Sequence, residues 1–145
     1  MSKACILLAV ALFCLALPTV QAADTLWAGV VLATKEDRPG AIPRSLRRLA
    51  PGIAEVFGTN TLYLLGERSK PFDVGVDPWM VPTRDFYFQV KALAREASNY
   101  VVNVELYEKQ SLLLSSEARL AYQAPLLIRG PMWGRGQIVL VLEIR

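Results

Sequence analysis

The chain predicts an α+β fold: a mostly antiparallel sheet of about seven strands with one kinked helical region, residues 43–57, packed on one face. Three observations carry this expectation. In residues 137–144, Ile138, Leu140, Leu142 and Ile144 share one face of an extended strand, and Val139 and Val141 share the other. Successive strand side chains point to opposite faces, so this strand needs cover on both and belongs inside a sheet. Next, Phe86, Phe88, Val90 and Ala92 alternate with polar residues, as do Tyr100, Val102, Val104 and Leu106. Two period-two runs joined by a polar turn at 96–99 make a β-hairpin with one buried and one wet face. Finally, only Leu46, Leu49, Ile53, Val56 and Phe57 recur at helical spacing. These patterns leave open whether the sheet folds over into a sandwich.

Taken in order, the chain begins with a basic residue, Lys3, an uncharged apolar run over 4–17, Pro18, and small residues at 20 and 22. That layout predicts a secretory signal peptide, 1–22, cleaved after Ala22, and hence a periplasmic or secreted location. An uncleaved anchor is the alternative. A lipid on Cys14 is disfavoured by the bulky Phe13 before it. Removing 22 of 145 residues leaves a single domain, 23–145, of 123 residues, long enough for a sizeable core. Cys5 and Cys14 leave with the leader, so an exported domain here relies on its core rather than on disulfides. Losing Lys3 from 16 basic side chains leaves 15 against 13 acidic ones, a net charge near +2. With no long basic run, nucleic acid is not an expected partner. No later apolar stretch approaches the length of a membrane span, so no stable membrane insertion is expected after cleavage.

Within the domain, residues 26–33 read as a first strand and 35–40 as a charged turn. The helical region starts at Pro43, stops at Gly58, and is interrupted by Pro51-Gly52, which predicts two short helices or one sharply kinked one. Residues 61–66 form a second strand, placed as a parallel neighbour of the first by a crossover. The proline-rich 67–82 segment reads as a loop with at most a short edge strand near 73–76. Segments 111–115 and 119–122 read as a further strand or pair of strands, followed by 126–128 and the last strand.

The chemistry is bounded by absences. The chain has no histidine, and the mature domain has no cysteine. This excludes a Ser-His-Asp triad, a thiol nucleophile, and His- or thiolate-ligated metal. A carboxylate pair remains open, with Asp73, Asp77 and Asp85 around the proline-rich loop and Glu105 on a strand; the same aspartates lack the spacing of a calcium loop. Ser69 and Lys70 are adjacent and point apart on an extended chain, so they make no dyad. The glycines of 130–136 match no phosphate-loop spacing and read as a turn or bulge entering the last strand. Trp133 beside Arg129 and Arg135 offers a flat ring with two cations, which Trp79 joins if the loops converge; Trp27 reads as core. Arg44, Arg47 and Arg48 cluster where the helix dipole is already positive. Either Glu36, Asp37 or Glu55 compensates them, or they meet an anionic partner. No cofactor is implied.

Two stretches, VFGTNTLYLLG (56–66) and the terminal LLIRGPMWGRGQIVLVLEIR, resemble a set of small exported bacterial proteins sharing an FG…Y.LL segment and a GP.WG.GQ…VL strand. The resemblance implies export and one compact domain, and assigns no residue a role. The sequence thus points to a non-enzymatic module of the bacterial envelope that contacts a protein or an anionic or polysaccharide partner. Candidate contacts are Trp133, Arg135, Arg129, Trp79, Arg44, Arg47 and Arg48. A small carboxylate hydrolase and an exported protease inhibitor presenting the 70–82 loop are the alternatives.

Overall fold

A computed structural model describes residues 23–145; the predicted leader, 1–22, lies outside the described residues. The chain forms β1 (Asp24–Thr34), a 3-10 turn (Arg44–Leu46), α1 (Ala50–Phe57), β2 (Thr61–Phe72), β3 (Trp79–Pro82), β4 (Phe86–Glu96), β5 (Asn99–Glu108), β6 (Ser111–Ala121), β7 (Leu126–Trp133) and β8 (Gly136–Ile144). The strands make two antiparallel four-stranded sheets, in the orders β2-β1-β8-β7 and β3-β4-β5-β6. Every hydrogen-bonded pair but one joins strands consecutive in sequence. The exception, β1 with β8, joins the two ends of the domain.

Strand β8 is buried from Gly136 to Glu143 because it has neighbours on both edges and cover on both faces. Ile138, Leu140 and Leu142 enter a core shared with Phe86, Phe88, Val90, Tyr100, Val102 and Val104 of the second sheet. Val139 and Val141 enter a second core with Trp27, Val31, Leu46, Leu49 and Ile53. The helical layer, the first sheet and the second sheet therefore stack in that order. The hairpin β4–β5 obeys its period: Phe86, Phe88, Val90 and Ala92 are buried, and so are Tyr100, Val102, Val104 and Leu106.

The helical region divides as Pro51 requires. A 3-10 turn ends at Leu46, and α1 begins at Ala50, which puts Pro51 in the first turn where its missing N–H costs nothing. The helix stops at Gly58, φ +65°, a left-handed conformation that suits glycine.

Three expectations are corrected. First, β1 and β2 are antiparallel, not parallel. The connection between them begins and ends at the same end of the sheet, where the Asn60 amide donates to the Thr34 carbonyl at 3.0 Å. Glu36 and Asn60 add a reciprocal pair of hydrogen bonds at 2.8 Å. Second, β2 continues to Phe72 rather than ending near residue 66, and residues 73–76 turn instead of forming a strand. Pro71 is tolerated because β2 is an edge strand with only β1 beside it. Third, the described residues form eight strands rather than about seven; of the two readings of 111–122, the single strand is the one formed, and 126–133 is another.

Candidate functional site

The predicted Trp133 platform is taken apart by a bulge. Arg129 pairs with Val139 and Met132 with Gln137, so Gly130 and Pro131 face the single residue Ile138. Gly130 is needed there: a Cβ would lie 2.9 Å from Ile138 Cγ2. The nearly buried Gln137 fixes the bulge by donating its side-chain N–H groups to the carbonyls of Gly130 and Pro131. Beyond it, Trp133 packs into the core between the sheets, 4.8 Å from the Phe86 ring in an edge-to-face contact. Arg129 stays on the opposite side of the sheet, its guanidinium 4.9 Å from the Phe57 ring centroid. Arg135 is exposed in the β7–β8 turn, where Gly134 takes φ +57°. Trp79 opens β3, opposite Val90. The strands carrying Trp79 and Trp133 are edge strands of different sheets.

The arginines of the helical region have separate fates. Arg48 forms an ion pair with Glu143, which also accepts from Arg145 Nε at 3.1 Å. The expected partners Glu36, Asp37 and Glu55 do not serve it; a strand residue does, because Glu143 points into the helical layer beside Val141 and needs a cation there. Arg145 completes the arrangement, with its guanidinium 4.3 Å from the Trp27 ring centroid and Nη2 donating to the Ser45 carbonyl at 3.4 Å. Trp27 Nε1 in turn donates to Glu67 at 2.9 Å. Burial pulls the Arg145 guanidinium below its ordinary pKa, though it remains charged. Arg44 and Arg47 are exposed and have no carboxylate partner among the described residues.

The loop aspartates are put to structural use or left solvated. Asp73 accepts the Val74 amide at 2.7 Å and lies 3.9 Å from Arg95. Asp85 precedes β4 in a turn that Thr83 closes by accepting the Phe86 amide at 2.8 Å. Among the described residues no three Asp, Glu, His or Cys side chains cluster as metal ligands would.

The outer face of the second sheet was not singled out from sequence, although the hairpin's alternation marks it as wet. Tyr87 and Tyr107 stand directly opposite one another on β4 and β5, and Tyr107 stands opposite Leu112 on β6. The next row is Met80, Gln89, Glu105 and Ser115, and the one after it Lys91, Asn103 and Glu117. Tyr87 is 47 % exposed and Met80 46 %. Tyr107 donates its hydroxyl to Glu105 Oε2 at 2.6 Å, and Asn103 Nδ2 donates to Oε1 at 3.4 Å. The bond to Glu105 keeps the Tyr107 phenol protonated by raising its pKa. Among the described residues no element covers these rows, which span about 14 Å across four strands.

No family model matches the chain, and no curated protein or solved structure matches it.

Proposed function

We propose that this chain is an exported, non-catalytic module that binds a polysaccharide of the bacterial envelope on the open face of the β3-β4-β5-β6 sheet. The observation that carries the reading is the opposed pair Tyr87 and Tyr107, beside Glu105, Gln89 and Asn103. A sugar ring presents an apolar C–H face and a rim of hydroxyls. Tyrosine supplies a flat apolar partner with few rotatable bonds to immobilise. Planar carboxylate and amide groups on the adjacent rows accept and donate to the hydroxyl rim. Glu105, held by Tyr107 and Asn103, is pre-organised for that task. Lys91 balances part of the charge of Glu105 and Glu117, so the face offers no net attraction to a polyanion.

A second reading rests on Arg44, Arg47 and Arg135, which are exposed without carboxylate partners among the described residues and would suit an anionic polymer. Electrophoresis through gels containing single polysaccharides separates the two. Retardation by neutral glycans, abolished by Tyr87→Ala with Tyr107→Ala, is the expected result. Retardation only by polyanions, lost with Arg44→Glu and Arg47→Glu, would transfer the function to the arginines.

A further inference from the structure

We propose that the pocket between α1 and the start of β2 binds a small carboxylic acid with an apolar body. The pocket holds about 220 Å³. Ala50 and Leu62 line it as buried residues, Ala54 lines it from the next turn of α1, and the exposed Ile42 and Pro51 stand at its edge. The space exists because the helix presents alanine at both 50 and 54, where a larger side chain would close it.

Its wall is fixed before any ligand arrives. Asn60 accepts the Glu36 amide and the Thr61 hydroxyl on Oδ1, and donates from Nδ2 to the Glu36 carbonyl. Gly40 donates to Thr61 Oγ1 at 3.4 Å, tying the 35–43 segment over the start of β2. The Asn60 amide is thereby occupied by the protein itself.

Two polar groups at the pocket are not. Arg47 lines it and has no carboxylate partner among the described residues. Thr59 also lines it, and its Oγ1 is buried with no hydrogen-bond partner. A buried hydroxyl without a partner is costly, and one that lines the same pocket as a guanidinium without a carboxylate partner and an apolar wall points to a ligand. The ligand carries a carboxylate for Arg47, an oxygen within reach of the Thr59 hydroxyl, and an apolar portion. An apolar cavity of ~150 Å³ holds benzene, so this pocket suits an apolar portion of about six to eight carbons. The site lies on the helical side of the first sheet, away from the open tyrosine face, and does not depend on the polysaccharide reading.

The test is an amide-resolved NMR titration of the protein with octanoate, octanol and octylammonium. Octanoate is expected to shift Ala54, Thr59 and Leu62 with a Kd of roughly 0.1–1 mM. Octanol should bind about tenfold more weakly, and octylammonium not measurably. Arg47→Gln is expected to weaken octanoate about tenfold. Thr59→Val should raise the thermal midpoint of the free protein while weakening octanoate, because it removes an unpaired hydroxyl and a ligand contact together. Ala54→Leu should abolish binding by filling the space. Absence of saturable shifts at these amides would overturn the proposal, as would equal binding of the three ligands or octanoate binding unchanged in Arg47→Gln. Arg47 is exposed, so that variant keeps its fold and decides the matter even if Ala54→Leu does not fold.

Discussion

The Tyr100 hydroxyl donates to Asp24 Oδ2 at 2.6 Å, joining the start of β5 to the start of β1, 76 positions away in sequence. This bond ties one sheet to the other at the end of their shared core. Arg95 surrounds it, 3.4 Å from Asp24 and donating to the Tyr122 hydroxyl at 2.9 Å. Burial, then the bond to Asp24, pushes the Tyr100 phenol well above its ordinary pKa. A folded-state pKa raised above the unfolded value means that the neutral phenol contributes stability in full below about pH 10, and loses it as pH rises beyond that. Urea unfolding across pH 7–11.5 is therefore expected to show a steep alkaline loss of stability. Tyr100→Phe should cost about 1–2 kcal/mol at neutral pH and flatten that loss. An unchanged alkaline slope in the variant would assign the loss to other groups.

The burial of β8 on both faces gives a second expectation. Leu140 is fully buried in the core between the sheets, so Leu140→Ala should cost about 2–5 kcal/mol in chemical unfolding. Leu140→Asp should give no cooperative transition, since an unpaired carboxylate cannot be accommodated there. A soluble Leu140→Asp protein that melts cooperatively would remove β8 from the centre of the fold.

The contact of Trp133 with Phe86 separates packing from recognition. Trp133→Ala is expected to lower stability by about 2–4 kcal/mol, since the ring is only partly buried, while glycan retardation persists at temperatures where the variant is folded. Arg135→Ala, in an exposed turn, should change stability by no more than about 0.5 kcal/mol. Loss of glycan binding in folded Trp133→Ala would restore the terminal loop as the contact surface.

Glu143 and its two arginines give an asymmetric pair of outcomes. The Arg48 side chain is 71 % exposed and that of Glu143 only 6 %, so solvent screens the arginine far more. Arg48→Ala should cost less than about 1 kcal/mol, because Arg145 still accompanies the carboxylate. Glu143→Ala should cost more, about 1–3 kcal/mol, as it removes the buried carboxylate that both arginines share and leaves Arg145 with Glu67 alone. Equal costs in thermal unfolding would contradict this division.

What could be read from the sequence was whatever a local period encodes. The alternation of 86–92 and 100–106 identified the hairpin and its buried face, and the double apolar face of 137–144 identified a covered strand. Pro51 and Gly58 marked a break and a stop that both exist. Pairings across long separations left no such mark. Nothing near Glu143 announces Arg48, and nothing near Tyr100 announces Asp24. The direction of β2 against β1 depends on Asn60 meeting Thr34 and Glu36, a contact that no periodicity carries. The sequence marks a turn or bulge within 130–136 but not its register, and it is the register of the two-for-one bulge at Gly130-Pro131 that sets Trp133 against Phe86. The tyrosine face was legible only as a wet face, since its rows come from register across four strands rather than from any single stretch.

The most direct measurement is an NMR titration with the neutral glycan that retards the protein most, following the amides of the open sheet. Shifts at Tyr87, Gln89, Asn103, Glu105 and Tyr107, with affinity falling at least about tenfold in Tyr87→Ala and in Tyr107→Ala while the thermal midpoint holds, are the expected result. Shifts confined to the helical side of the first sheet, or full affinity in the double variant, would contradict it.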